Sequence, residues 1–237
     1  MKNKFFQQLE RLDIHLSEKQ EKQFYQYYEL LVKWNKVMNL TAIVDYKEVQ
    51  EKHFIDSLSL VKMINIKSVH TLIDVGTGAG FPGLPLKIVF PHLEVILLDS
   101  LQKRILFLNE VIHDLGLFQI EAKHGRAEDY AKDVKYRENF DLCVSRAVAD
   151  LSVLSEYCIP FVKIGGKFIS YKSDLIDEEV KHSENAIHIL GGNIQKIEKF
   201  QLPESEIKRS FISISKERTT NKRYPRKAGI PLKKPLD

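Results

Sequence analysis

A doubly wound, mostly parallel α/β sheet of seven strands, entered through a helical N-terminal extension, is the fold class the sequence predicts. Three observations carry that expectation. From residue 69 onward, short apolar runs with strand character alternate with stretches of helical periodicity. Four of the eleven glycines crowd into positions 76, 78, 80 and 83, directly behind the first of those runs. The intervals between most successive runs are long enough for a crossover helix, which makes the strands parallel and the connections right-handed. At 237 residues the chain has room for one or two domains. The reading divides it into a helical extension at 1–65, a Rossmann-like α/β domain at 66–217 and a basic C-terminal tail at 218–237.

The elements follow in order. Ser17 and Gln20 stand in the Ser-x-x-Gln relation of a capping box, in which hydroxyl and amide satisfy two orphan backbone N–H groups. Behind them Phe24, Tyr27, Tyr28, Leu31, Trp34 and Val37 or Met38 recur at helical spacing, one apolar stripe facing a core. A second, short helix is expected from Asp45 to His53. Val69–Val75 reads as the first strand and runs straight into the glycine loop, with Pro82 at the start of the next helix, where no N–H bond is lost. Glu94–Leu98 is the second strand, ending at Asp99. The helix after it carries Leu101, Ile105, Leu108, Ile112 and Leu115 on one face and stops at Gly116. Strands follow at Gln119–His124, Phe140–Ser145 and, after a turn at Gly165-Gly166, Lys167–Tyr171. Helices are expected around Leu151–Cys158 and at Asp174–Leu190. Ile194–Leu202 and Ser210–Ser215, joined by a short connection, read as an antiparallel pair.

Composition narrows the function classes. With 43% apolar and 29% charged residues the chain can build a core, which excludes a disordered protein. No window approaches the ~18 uninterrupted apolar residues of a membrane span, and the first residues lack the apolar segment of a secretory signal. Two cysteines, Cys143 and Cys158, both in apolar runs, exclude a disulfide framework and fit a reducing cytoplasm. The net charge is only +4, but it is unevenly placed: residues 218–237 carry seven Lys and Arg against Asp237, so a near-neutral body ends in a tail suited to a polyanion. Arg223, Arg226 and Lys227 are the expected phosphate contacts.

The glycine loop carries the chemistry. Glycine turns the chain at positive φ and lets a ligand approach bare backbone, and a loop between the first strand and its helix lies at the carboxyl end of the sheet, where doubly wound folds bind ligands. Asp99, at the end of the second strand, can accept hydrogen bonds from both hydroxyls of a ribose. Together these features indicate an adenosine-containing cofactor. Gly78 to Gly83 satisfy the G-x-G-x-x-G dinucleotide fingerprint of a nicotinamide-dependent reductase. Read one glycine earlier, Asp74-Val-Gly76-Thr-Gly78-Ala-Gly80 is an acid followed by G-x-G-x-G and resembles motif I of class I S-adenosylmethionine-dependent methyltransferases. The second reading is favoured because Gly76 directly follows the strand and should make the tight turn. A carboxylate at Asp74 also suits a cationic cofactor better than a pyrophosphate at a helix N-terminus, and the chain has no room for a separate substrate domain.

The acceptor is approached by elimination. Amine-directed nucleic-acid methyltransferases carry a polar residue and Pro-Pro-aromatic after the fourth strand; here Ser145-Arg146-Ala147-Val148 stands instead. Pyrimidine C5 methylation needs a cysteine nucleophile, but Cys143 and Cys158 read as small buried apolar residues. The eight histidines and two cysteines show no metal-ligand spacing, so no metal is expected. A ring nitrogen such as guanine N7 presents its lone pair already and asks only for alignment, which is compatible with the lack of an obvious base.

The motifs then converge. Leu72-Ile-Asp-Val-Gly-Thr-Gly-Ala-Gly-Phe-Pro-Gly-Leu-Pro85, Leu97-Leu-Asp-Ser-Leu-Gln-Lys-Arg104-Ile-Leu-Phe-Leu108, Arg126-Ala127-Glu128 and Val144-Ser-Arg-Ala147 resemble the bacterial glucose-inhibited division protein B family, the small-subunit ribosomal RNA methyltransferases G. Trp34-Asn35-Lys36, Asn39-Leu40-Thr41, His53-Phe-Ile-Asp56-Ser57-Leu58 and the tail from Lys222 to Pro235 extend the resemblance over essentially the whole chain. It implies transfer of a methyl group from S-adenosylmethionine to N7 of a guanosine in 16S ribosomal RNA, free or in a small-subunit particle, by a cytoplasmic monomer. It also implies cofactor contacts at Gly76, Phe81, Ala127, Glu128 and Arg146, beside Gly78 in the loop and Asp99 at the ribose. No catalytic side chain is assigned. His53 and Asp56, one helical turn apart, are expected to pack the extension over the cleft, and Lys172 is a candidate phosphate contact. A non-catalytic RNA-binding assembly factor of the same fold is the remaining rival.

Overall fold

The computed structural model describes residues 3–146 and 149–236, so Met1, Lys2, Ala147, Val148 and Asp237 lie outside the described residues, including the second half of the Ser145–Val148 segment. The chain opens with α1 (Lys4–Arg11), which the sequence reading did not anticipate, and α2 (Glu18–Met38). The Ser17–Gln20 capping box forms as expected. Next come α3 (Tyr46–Val49), a π-helical turn over Gln50–Ile55 and α4 (Asp56–Leu58), a run that carries the expected short helix on past His53. Met38, not Val37, closes the α2 stripe: Met38 packs on the core while Val37 is exposed.

The sheet consists of β1 (Thr71–Val75), β2 (Glu94–Asp99), β3 (Ile120–His124), β4 (Phe140–Arg146), β5 (Val162–Lys172), β6 (Gly192–Gln201) and β7 (Lys208–Lys216), in the order β3-β2-β1-β4-β5-β7-β6. Only β7 runs against the others, pairing antiparallel with both β5 and β6. The crossovers carry α5 (Gly83–Val89), α6 (Gln102–Asp114), α7 (Ala127–Tyr130), α8 (Leu151–Cys158) and α9 (Asp177–Ile189), and α10 (Ile230–Lys233) lies in the tail. The strand order reverses about β1 and β4, so a crevice opens at their carboxyl ends.

All strands but β5 lie within two residues of the expected bounds. β5 begins at Val162 instead of after Gly165-Gly166, which fall inside it at a register shift against β4. Gly165 adopts φ +83°, and a Cβ on Gly166 would sit 2.7 Å from the Asp141 carbonyl oxygen, so the glycines make an irregular strand where a turn was expected.

The period of two along each strand splits the core into two layers. Leu72, Leu97, Leu142 and Ile169 face α1 to α6, where Phe5, Phe24, Tyr27 and Phe54 pack. Ile73, Leu98, Cys143 and Phe168 face α8 and α9. Both cysteines are buried and free. The N-terminal helices share one core with β1, β2 and α5, which brings the extension up to the crevice. Among the described residues no helix is long and apolar enough to cross a membrane.

Candidate active site

The glycine loop leaves β1 through Gly76, whose φ of +72° only glycine adopts without strain, and Gly76 and Thr77 both donate their N–H to the Leu98 carbonyl on β2. Gly78 follows at φ +62°, and a Cβ there would meet nothing nearer than the Gly76 oxygen at 4.0 Å, so its backbone lies open. Gly83 answers a different need: a Cβ would fall 2.3 Å from Leu97 Cδ2 and 2.9 Å from Asp74 Oδ2. Its place in the G-x-G-x-x-G pattern thus reflects close packing of α5 on the sheet.

Asp74 departs from its expected part. The carboxylate is fully buried beneath the loop, where Oδ2 accepts from Thr77 Oγ1 at 2.7 Å and Gly83 N at 2.8 Å, and Oδ1 has no hydrogen-bond partner. It braces the loop from inside and already accepts the Gly83 N–H at the start of α5, which leaves that donor unavailable to a pyrophosphate. Burial raises its pKa from 3.8 to about 7, against the pull of the Thr77 and Gly83 hydrogen bonds. Between these values the folded state keeps a proton that the unfolded chain has released, so this stabilisation is complete below about pH 4 and is lost as pH rises through 7. Asp74→Asn should therefore flatten the pH dependence of stability. Urea unfolding at pH 4.5 and 7.5 should show the native protein losing on the order of 3 kcal/mol more than the variant over that interval.

The extension grips the loop from above. Tyr27 of α2 donates its hydroxyl to the Ala79 carbonyl and sits among Phe54, Phe81 and Phe107 at ring-centroid distances of 5.4–6.4 Å. Phe81, the next loop residue predicted from the sequence, is buried and stacks on His53 at 4.5 Å and 22°. A cavity of about 400 Å³ opens here, lined by Leu40 and Thr41 of the extension, His53, the loop from Gly76 to Ala79, Phe81, Asp99, Arg104 and Arg146.

Asp99 is only 3% exposed. Its Oδ2 accepts from Gly78 N at 2.9 Å and Arg104 Nη1 at 3.0 Å, and Oδ1 from Leu101 N at 2.9 Å. A carboxylate accepts about four hydrogen bonds, so Asp99 can take one further hydroxyl on Oδ1, and a second only if Arg104 swings aside. Sequence reasoning saw the acid and missed its three local partners. Beyond Asp99 a smaller cavity of about 170 Å³ shares Gly76, Asp99 and Ser100 with the first and continues to Gly125, Arg126, Ala127, Glu128 and Tyr157. With Arg146 in the first cavity, all seven sequence-predicted residues (Gly76, Gly78, Phe81, Asp99, Ala127, Glu128 and Arg146) therefore line two adjoining cavities. Glu128 is buried and accepts from Gly229 N at 3.0 Å.

Arg146, the seventh, stands at the far end of the cleft with its guanidinium 5.0 Å from the Phe81 ring centroid. Its Nη1 donates to Asp56 Oδ2 at 2.9 Å, and its Nη2 lies 3.3 Å from His53 Nδ1. The other oxygen of Asp56 accepts from Arg209 Nε at 2.9 Å, so one buried carboxylate holds two guanidiniums. Burial, and next the charge of Arg146, lower the His53 pKa from 6.5 to about 3, leaving a neutral ring. Nδ1 lies 3.1 Å from the Lys52 carbonyl oxygen as well as near Arg146, and Nε2 lies 2.9 Å from Thr41 Oγ1, so the ring is held at both nitrogens. His53 and Asp56 do not bond each other; each bonds Arg146. Together with Arg146, His53 separates the cofactor-sized cleft from a second cavity of about 540 Å³ lined by Lys52, Asp56, Tyr171, Lys172, Glu179 and Arg209. Lys172 is pinned there by the Ala149 carbonyl at 2.6 Å and Glu179 at 2.5 Å.

Comparisons with known proteins place the chain in a family. The family model described as rRNA small subunit methyltransferase G matches residues 20–209. The chain is 53% identical over 232 residues to the ribosomal RNA small subunit methyltransferase G of Lachnoclostridium phytofermentans, covering 98% of this chain and 96% of that one. Against the protein of the same name from Acetivibrio thermocellus it is 54% identical over 223 residues, covering 94% and 91%. Among solved structures, the ribosomal protein L11 methylase of Lactobacillus delbrueckii subsp. bulgaricus superposes with a TM-score of 0.51 at 18% identity over 73% of this chain and 80% of that one, a likeness of fold.

Proposed function

The chain belongs to the rRNA small subunit methyltransferase G family, and from that premise we propose that it transfers a methyl group from S-adenosylmethionine to N7 of a guanosine in 16S ribosomal RNA. The observation that carries the reading is the juxtaposition of two cavities across one wall, His53 and Arg146, with a glycine loop and a buried ribose-competent carboxylate on one side and cations on the other. The cleft residues fit the cofactor: Gly78 offers bare backbone with open space before it, Asp99 Oδ1 keeps an acceptor position, and the smaller cavity beside Ala127 and Glu128 is flanked by the Tyr157 ring. S-adenosylmethionine would supply an electrophilic methyl on a sulfonium.

The chain's own residues then do three things. Gly76, Gly78 and Asp99 hold the nucleoside, Phe81 and His53 form a stacked aromatic wall, and Arg146, steadied by Asp56, borders both cavities. Guanine N7 needs no base, so a neutral His53 serves as part of the wall beside Phe81 and Arg146, and catalysis rests on alignment. Lys52, Arg146, Lys172 and Arg209 outnumber the acids Asp56 and Glu179 in the second cavity and leave it a net positive lining suited to the phosphates of an extruded nucleotide, and a splayed base is the form in which RNA is read by such pockets. We read the enzyme as a cytoplasmic monomer acting on 16S RNA or a small-subunit particle.

Mapping N7-methylguanosine in 16S RNA from cells lacking the protein tests the assignment: one site should lose its methyl and regain it with purified enzyme, and an unchanged profile rejects the substrate. At the site itself, Asp99→Asn should raise the KM for S-adenosylmethionine about tenfold or more while changing kcat less, since a charge-assisted hydrogen bond contributes about 1.5–3 kcal/mol. The nicotinamide reading fares worse because Asp74 already takes the Gly83 N–H at the start of α5, a donor that a pyrophosphate would need.

A further inference from the structure

The basic tail is built into the body. Lys216, a buried lysine at the end of β7, bonds the Ile159 carbonyl and the Thr220 hydroxyl, and Thr220 N donates to Glu138 at 2.7 Å. Arg137 then clasps the carbonyls of Thr220 at 2.7 Å and Tyr224 at 2.9 Å, and the Tyr224 ring is buried in the core below α8. Arg226 follows with a fork on Glu156: Nε to Oε1 at 2.9 Å, Nη2 to Oε2 at 2.6 Å, and its own N–H to Oε1 at 2.7 Å. Three residues on, Gly229 N donates to Glu128. Gly229 reaches that position at φ +81°, ahead of the buried Pro231.

Glu128 belongs to α7, and Glu156 adjoins Tyr157 on α8. Glu128 and Tyr157 both line the smaller cavity of the cleft. Arg226 and Gly229, three residues apart in the tail, are thus bonded to α8 and α7, both of which contribute to this cavity, without lining it themselves.

We propose that the segment Tyr224–Pro231 is a clip that sets the spacing of the nucleobase end of the cleft, so that its docking and the binding of an adenine nucleoside there favour each other. The inference rests on the reading of the cleft as the S-adenosylmethionine site. Arg226 and Gly229 act as positioning residues through Glu156 and Glu128. Coupling of this kind is reciprocal: whatever docking contributes to ligand affinity, ligand returns to docking.

The full-length protein supplies the first test. Trypsin can cut after the exposed Arg223 and Lys227 when the clip lifts, and with rapid docking the cutting rate follows the undocked population. Saturating S-adenosylhomocysteine or adenosine should slow release of the tail about tenfold, homocysteine should leave it unchanged, and cleavage at Arg11 in α1 should not follow the same pattern. The second test is calorimetric. Arg226→Lys keeps a cation beside Glu156 and loses the fork, so the folded variant should bind S-adenosylhomocysteine and adenosine about tenfold more weakly by the same factor for both. Equal tail release with and without nucleoside, or native affinity in folded Arg226→Lys, overturns the clip while Asp99→Asn still weakens binding. If Asp99→Asn binds S-adenosylhomocysteine as the native protein does, the cofactor reading falls and the clip with it.

Discussion

Asp56→Ala should lower kcat about a hundredfold. The carboxylate it removes is 3% exposed and lies between the guanidiniums of Arg146 and Arg209, each 2.9 Å away. The nearest other acid in the second cavity, Glu179, is engaged by Lys172. Without Asp56 two permanent cations face each other in a partly buried space, and the guanidinium of Arg146 must move away from Phe81 and His53. A displacement of about 1 Å at a positioning group is enough to cost about 10²-fold in rate. The effect on S-adenosylhomocysteine affinity should be smaller, because the glycine loop, Asp99 and Glu128 are untouched. Asp56→Asn, which keeps an acceptor oxygen but no charge, should fall between the two. Steady-state kinetics with 16S RNA or small-subunit particles decides it: kcat within threefold of native in Asp56→Ala would show that the arginine pair needs no carboxylate.

Ending the chain at Thr219 should cost most of its stability. Glu156 is fully buried, and Arg226 supplies both the fork and the backbone N–H that satisfy it. Removing one partner of a buried ion pair costs about 3–5 kcal/mol, and loss of the buried Tyr224 side chain adds about 1.5–3 kcal/mol. Against a total of roughly 5–15 kcal/mol for a typical domain, the truncated chain should melt about 10–20 °C lower or fail to fold. A thermal scan measures it, and a melting point within a few degrees of native would contradict the account. The phosphate-contact expectation for the tail changes accordingly: Arg226 is held by Glu156, while Arg223 and Lys227 remain exposed. Arg223→Gln with Lys227→Gln should reduce the salt slope of RNA binding by about two units without the stability loss.

Most of the sheet was legible because its signals are local. β1 and β2 are short apolar runs, the loop between them announces itself by glycines, and Asp99 closes the second run with a carboxylate. What escaped is what joins distant parts of the chain. Asp56 and Arg209 are 153 residues apart, Glu156 and Arg226 are 70 apart, and no periodicity relates either pair. A carboxylate at Glu156 within the apolar helix Leu151–Cys158 was the one available hint, since a buried acid needs a partner from somewhere. Asp74 was seen but turned the wrong way: spacing places a carboxylate beside the loop, and only packing shows that Thr77 and Gly83 draw it underneath. Arg146 was found through resemblance, but its setting depends on His53 and Asp56, which the helical spacing placed only as packing of the extension over the cleft. The π-helical turn at Gln50–Ile55 lies in that stretch, and both side chains bond Arg146 instead.

The central claim is that one adenosyl cofactor lies along the two adjoining cavities from Glu128 past Asp99 to Arg146. A crystal structure with S-adenosylhomocysteine addresses it most directly. The account predicts adenine in the cavity between Gly125–Glu128 and Tyr157, ribose on Asp99, and the sulfur beside Phe81, facing the cavity that Arg209 and Lys172 line. A nucleoside bound elsewhere, or one whose sulfur points away from Arg146, would contradict it.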